Sequence, residues 1–142
     1  FEELTALTDA GIPVEVIPGV TSAVAVPALA GTPVTHRGMV HALTVVSGHL
    51  PPGHPKSLVD WAALAQSGAT LSVIMGVKNA AAIASALIDA SLPPHTPVRI
   101  IQEGSLAEER VFSCELSTLG STMVDKAVAP PAVIVIGEVA GL

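Results

Sequence analysis

Short aliphatic runs, separated by stretches with helical spacing, constrain the fold of this chain more than any other feature. Three of them are almost free of polar side chains: Thr70–Met75, Val98–Ile101 and Ala132–Ile136. Aromatic residues make up 2% of the chain and apolar residues 50%, so the core must consist of Val, Ile, Leu and Ala. Such runs are typical of strands buried on both faces, as in parallel sheets. The sequence therefore predicts an α/β fold with a mixed, mostly parallel sheet and flanking helices.

Weaker patterns predict the other elements. Pro27 is expected to kink the second helix, because proline cannot donate the hydrogen bond of a helix interior. Ser57 is expected to cap a later helix, and Arg110–Glu115 alternates polar and apolar residues, as a half-exposed, antiparallel strand does. In chain order, the remaining predictions are a helix at 4–10, a strand at 14–17, a helix at 20–30, a strand at 42–46, and helices at 57–66, 78–90 and 117–126.

The distribution of these elements predicts two domains. Residues 1–38 hold one predicted strand and two helices, too little for a sheet, and end in a linker. We expect them to be the C-terminal end of a truncated N-terminal domain, because the chain opens on Phe1 inside a predicted helix. Residues 39–142 hold about five predicted strands and three helices, enough for a C-terminal domain.

Charge and cysteine content exclude several classes of protein. The net charge is −6 and the six basic residues are scattered, which argues against a nucleic-acid surface. No apolar run reaches the roughly 18 residues of a membrane span. Cys114 is the only cysteine, so it can form neither an internal disulfide nor a metal site by itself, and it fits a reducing cytoplasm.

Small residues at the predicted turns mark candidate ligand contacts. The turns are Pro18–Ser22, Met75–Asn79, Gln102–Ser105 and Pro131-Ala132, each beside an apolar strand. In open α/β sheets, ligands bind at such turns, where glycine and free N–H groups let the backbone approach them. Any one of these turns could equally be an ordinary connection.

Taken together, these turns resemble those of the tetrapyrrole methylase family. The similar segments are Pro-Gly-Val-Thr-Ser-Ala at 18–23, Ile-Met-Gly at 74–76, the glycine at 104, and Pro-Ala at 131–132 before an apolar strand. The resemblance implies that S-adenosylmethionine lies in a cleft between an N-terminal and a C-terminal domain. The cofactor contacts that it implies are Thr21, Ser22, Met75, Gly104 and Ala132.

Two further segments are similar to the uroporphyrinogen-III C-methyltransferase branch of that family. They are Thr35-His36-Arg37 and Ser47-Gly48-His49. The branch methylates ring carbons of uroporphyrinogen III to give precorrin-2, for cobalamin or sirohaem. Because arginine grips carboxylates bidentately, Arg37 is the predicted contact for this carboxylate-rich substrate. His36 is a second predicted contact, although a histidine in a linker is more often structural, and His49 is a weaker candidate.

The resemblance also implies what this chain lacks. The family's first glycine-rich loop and its proposed acid/base residues lie in the N-terminal domain, so no catalytic residue and no metal ligand is assigned here. We expect the isolated chain to be inactive and its parent to be a homodimer. Gly104-Ser105 and Glu109 depart from the family pattern, and Glu109 is expected to add negative charge beside the cofactor turn. Two alternatives stay open: a methyltransferase acting later on the corrin ring, and a non-catalytic α/β dimerisation domain.

Overall fold

The computed structural model describes residues 1–142 and contains five α-helices and five strands. The helices are α1 (Glu2–Asp9), α2 (Ser22–Leu29), α3 (Trp61–Gln66), α4 (Ala80–Asp89) and α5 (Leu119–Asp125). The strands are β1 (Leu43–Ser47), β2 (Thr70–Ile74), β3 (Pro97–Gln102), β4 (Arg110–Glu115) and β5 (Ala132–Ile136). Short 3-10 turns lie at 77–79, 116–118 and 138–141. Five strands and three α-helices thus follow residue 39, as predicted.

The strands form one sheet in the order β1-β2-β5-β3-β4. Only β1 and β2 are parallel, whereas β5 runs antiparallel to both of its neighbours and β4 is antiparallel to β3. The α/β class with flanking helices is confirmed, but the prediction of a mostly parallel sheet is wrong. An apolar run reports burial on both faces of a strand, and burial does not depend on the direction of the strand.

Helices cover the sheet unequally on its two faces. One face packs Leu71, Val73, Ile100 and Ile134 against α3, α4 and α5, and it holds the larger core. The other face packs Val133, Val135 and Ile101 against Val26 of α2 and Ala140 of the last 3-10 turn. Both faces of β5 are therefore buried, which explains why its sequence is wholly apolar.

Helix α2 contains Pro27, and a residue of the sheet makes the hydrogen bond that this proline cannot make. Pro27 cannot donate to the carbonyl of Ala23, four residues earlier. The Ser72 hydroxyl, on β2, donates to that carbonyl instead, at 2.8 Å, and Ser72 is fully buried. The sheet thus supplies the bond that the helix lacks.

Two local predictions are wrong. Val14–Ile17 forms no strand, and Val16 and Ile17 are 69% and 81% exposed. A strand needs a neighbour for its backbone groups, and none of the five strands lies beside this segment. Ser57 does not cap α3; Asp60 does, accepting a hydrogen bond from the N–H of Ala63 at 2.9 Å. Both side chains are N-cap types, and Asp60 is the one immediately before the helix.

Candidate functional site

One edge of the sheet collects four chain segments around a cavity of about 560 Å³. Because β5 is antiparallel to β2 and β3, its first residues lie beside the last residues of those strands: Val133 pairs with Ile74, and Ala132 with Gln102. The end of parallel β1 reaches the same edge. The mixed direction of the sheet is what brings these segments together.

Four of the five predicted cofactor contacts line this cavity: Ser22, Met75, Gly104 and Ala132. Thr21 does not line it. Its hydroxyl oxygen accepts a hydrogen bond from the N–H of Ala23 at 3.3 Å and so caps α2. The structure therefore gives Thr21 a structural task, while its contact with a cofactor stays a prediction.

The predicted substrate contacts lie apart from the cavity. His36 and Arg37 line a smaller hollow of about 300 Å³, together with Thr35, Val40 and His41. His36 and Val40 are hydrogen-bonded in both directions at 3.0 Å, and Gly38 in between has φ +84°. The hairpin fixes the backbone of His36 and Arg37, and both side chains are exposed. His49, the weaker candidate, lines the larger cavity instead.

Two residues at the cavity have a backbone conformation that side chains disfavour. Met75 has φ +56° directly after β2, and Glu103 has φ +51° directly after β3. Such conformations cost about 1–3 kcal/mol each and cluster at ligand sites. Met75 is also 62% exposed. Because Ser91 and Ala127, which do not line the cavity, also have positive φ, the strain supports these two turns as candidates only together with their place at the cavity.

Glycines let the lining segments approach one another closely. A Cβ on Gly48 would lie 2.7 Å from the Cα of Gly76, so the turns after β1 and β2 are in backbone contact. The Asn79 side-chain amide ties them together by donating to the carbonyl of Gly48 at 2.7 Å. Gly104 lies directly against the side chain of Val26 in α2, where a Cβ would overlap Cγ1 of Val26. The walls of the cavity are therefore joined by direct contacts.

Glu109 has a role that the sequence did not reveal. Its carboxylate accepts a hydrogen bond from the N–H of Ser105 at 2.9 Å, across the turn that contains Gly104. The carboxylate that was expected beside this turn therefore holds the turn through this hydrogen bond.

Sequence reasoning missed several residues that line the cavity: Val26, Ile101, Leu106, Pro130 and Val133. Val26 lies one helical turn after Ser22, and each of the others is next in the chain to a recognised turn, so adjacency was the available signal. Half of the lining residues are hydrophobic, and charges of both signs (Lys78, Glu103) stand among them. Such a surface suits a small molecule with one flat apolar part and a few polar groups.

No group of three or more His, Cys, Asp or Glu side chains is placed to hold a metal ion. None of the helices combines the length and the apolar content that crossing a bilayer requires.

Comparison with known proteins gives the relationship directly. The family model described as Tetrapyrrole (Corrin/Porphyrin) Methylases matches residues 1–120. An S-adenosyl-L-methionine-dependent uroporphyrinogen III methyltransferase of Methanosarcina barkeri is 40% identical over 99% of this chain and 55% of its own length. A siroheme synthase of Methylococcus capsulatus is 40% identical over 99% of this chain and 30% of its own. The chain thus spans about half, or less, of these relatives.

Solved structures agree with the sequence matches. Uroporphyrin-III C-methyl transferase from Thermus thermophilus, in complex with S-adenosyl homocysteine, is 36% identical with a TM-score of 0.80, over 97% of this chain and 56% of that one. A cobalt precorrin-4 methyltransferase has a TM-score of 0.87 over 98% of this chain and 58% of that one, but at 19% identity it shows the fold alone. The chain belongs to the tetrapyrrole (corrin/porphyrin) methylase family.

Proposed function

We propose that these residues form the C-terminal part of a uroporphyrinogen-III C-methyltransferase, and that the cavity holds S-adenosylmethionine. The observation that carries the proposal is the meeting of Ser22, Met75, Gly104 and Ala132, which are far apart in the chain, around one cavity. The names of the relatives from M. barkeri and T. thermophilus support the same cofactor and substrate.

The residues at the cavity fit that cofactor. The volume of the cavity, about 560 Å³, falls within the range of about 300–1,000 Å³ that is usual for small-molecule sites. Met75 offers a polarizable thioether, and Ile74 and Val133 an apolar floor, against which an adenine ring can lie. Ser22 is the first residue of α2 and lines the cavity, so its hydroxyl and its own N–H can serve polar groups of the cofactor.

The chain's part in the reaction is alignment rather than acid–base chemistry. When bound, S-adenosylmethionine supplies an electrophilic methyl group. Transfer of this methyl group to an electron-rich pyrrole carbon would break the bond between the methyl carbon and sulfur, form a carbon–carbon bond and leave the electron pair on sulfur. The ring would then lose one proton for each methyl group gained, and no residue of this chain is assigned to take that proton. The walls around Met75 and Gly104 hold one reactant, limit the access of water and so favour an in-line approach. The product would be precorrin-2.

We propose further that Arg37 and His36 contact carboxylates of the tetrapyrrole. Arg37 is exposed at the tip of a hydrogen-bonded hairpin, and its planar guanidinium suits bidentate binding of a carboxylate. The division into residues 1–38 and 39–142, the homodimer and the inactivity of the chain by itself belong to the same proposal. The reducing cytoplasm expected from the single cysteine stays a prediction.

Calorimetry with S-adenosylhomocysteine tests the cofactor site. We expect the wild-type chain to bind it weakly and Met75→Asp to release no binding heat, because a carboxylate replaces an apolar contact. Met39→Asp is the matched control, since Met39 is also exposed but lies outside the cavity. Equal heats for both variants would overturn the assignment of the cavity. Silence of the wild type would favour an interaction domain, which the exposed Ile17, Val20 and Leu29 would suit.

A second experiment tests the substrate. Methyl transfer is measured with uroporphyrinogen III and with a later corrin precursor, using the longest protein that contains these residues. Transfer to the corrin precursor alone would replace the proposal by the in-class alternative. Methyl transfer by the 142 residues alone would contradict the proposed inactivity.

A further inference from the structure

The segment 126–131 joins α5 to β5 and supplies one wall of the cavity, although it belongs to no helix or strand. Pro130 and Pro131 both line the cavity, and β5 begins at the next residue. Proline has no N–H, so neither residue can donate a hydrogen bond towards β3. Other groups must hold this wall in place.

Gln102, the last residue of β3, holds this segment through a hydrogen bond of its side chain. Its Oε1 accepts a hydrogen bond at 3.1 Å from the N–H of Ala129, the last backbone donor before the two prolines. Gln102 is only 7% exposed and does not line the cavity. Because a buried polar side chain is costly unless it is paired, this bond accounts for a buried glutamine at the end of β3.

Two neighbouring contacts complete the attachment of the segment. The N–H of Glu103 donates to the carbonyl of Pro131 at 2.9 Å, so consecutive residues of β3 and its turn hold the chain before and after Pro130. Arg110, opposite Gln102 in the register of β3 and β4, donates to the carbonyl of Lys126 at 2.7 Å. The bond to Ala129 therefore holds the chain immediately before the two prolines, and the bond from Glu103 holds Pro131 itself.

We propose that Gln102 is a positioning residue: its side chain holds the proline wall of the cavity against the turn at 103–106 and so sets the shape that the ligand meets. The inference rests on the proposed function only for the identity of that ligand. The position of the wall can be measured without it.

The first measurement uses the ligand-free chain and amide hydrogen exchange followed by NMR. Gln102→Met keeps the length of the side chain but removes the acceptor, and we expect the Ala129 amide to exchange about five- to tenfold faster, the effect of one lost hydrogen bond. Gln102→Glu keeps the acceptor and should restore protection. Should the methionine variant fail to fold, Gln102→Asn, which is too short to reach Ala129, replaces it with the same expectation.

Thr96→Val is the matched control. Thr96 is also buried, lies immediately before β3 at its opposite end, and donates to the carbonyl of Pro93 at 2.7 Å. Its loss should lower the global stability without changing the exchange of Ala129 relative to that stability. Unchanged protection of Ala129 in Gln102→Met, or equal loss in Thr96→Val, would overturn the proposal.

The second measurement is the affinity for S-adenosylhomocysteine by calorimetry. We expect Gln102→Met to weaken binding about fivefold or more, and Gln102→Glu to bind like the wild type, since one hydrogen bond is worth about 1 kcal/mol. Faster exchange of Ala129 with unchanged affinity would contradict the positioning role. If the wild type releases no heat, the proposed function fails, and the exchange experiment still decides whether Gln102 holds the wall.

Discussion

Gly104 lies so close to α2 that no side chain fits between them. A Cβ at this position would overlap Cγ1 of Val26 and lie 2.9 Å from its Cγ2. We expect Gly104→Ala to lower the free energy of unfolding by about 1–3 kcal/mol, as overpacking does, because α2 must move. Urea denaturation measures this loss. Gly19→Ala is the control, since its Cβ would meet nothing within 4 Å.

A double variant tests the cause of that loss. Val26→Ala removes the methyl groups that the new side chain would meet. We expect Gly104→Ala/Val26→Ala to be more stable than the sum of the two single losses predicts. Strict additivity would show that the loss has another origin.

The surroundings of Cys114, in β4, shift the pKa of its thiol. Burial raises the pKa of its thiol, and the nearby Glu115 carboxylate acts in the same direction, against hydrogen bonds from Thr122 and Thr118. The folded chain therefore holds the thiol proton more tightly than the unfolded chain does. The stability from this group is complete below the ordinary thiol pKa and is lost as the pH rises through the raised pKa of the folded chain.

The raised pKa of Cys114 gives two measurable outcomes. Iodoacetamide should react with Cys114 at pH 8 more slowly in the folded chain than in urea, because the thiolate is the nucleophile. In Cys114→Ala, the fall of unfolding free energy at alkaline pH should be smaller than in the wild type. Alkylation at equal rates in the two states would contradict the shift.

At the scale of elements, one buried hydrogen bond links α2 to β2. Ser72→Ala leaves the carbonyl of Ala23 without a donor, because Pro27 cannot serve it. We expect an unfolding free energy about 1–3 kcal/mol lower, the cost of an unpaired buried group. Thermal denaturation measures it, with the exposed Ser85→Ala as the control. In a Pro27→Ala background, the new N–H can donate to the Ala23 carbonyl, so Ser72→Ala should lower the unfolding free energy less. An equal loss in both backgrounds would contradict the view that the unpaired carbonyl causes it.

Most elements could be predicted from the sequence, because their signals are local. The apolar run of β5 and the alternation of β4 follow from which faces are buried. The direction of β5 could not be predicted, since a strand buried on both faces reads the same in either direction. The prediction of a strand at Val14–Ile17 was also wrong because the signal is local. The apolar residues there fit the pattern of a strand, but a strand also requires a neighbouring strand.

At the scale of the whole molecule, residues 1–20 contribute little to stability. None of them is buried, whereas α2 and the sheet hold the core. Removing residues 1–20 should therefore change the free energy of unfolding by less than about 1 kcal/mol. Chemical denaturation of the two chains measures this. Removal of residues 1–30, which takes away Val26 as well, is the contrasting variant and should be clearly destabilising. A large loss from the shorter deletion would contradict the expectation that residues 1–20 contribute little to stability.

The sequence by itself determined where most helices and strands lie, which turns carry small residues, and to which family the chain is similar. These are local or pairwise properties: hydrophobic periodicity, capping side chains and the conformational freedom of glycine. Only the tertiary structure decided that β5 enters between β2 and β3 in the opposite direction, and that Thr21 caps a helix while Ser22 faces the cavity. It also decided that His36 and Arg37 stand apart from His49. Strand direction and loop convergence depend on packing between segments distant in the chain, and no local pattern encodes that packing.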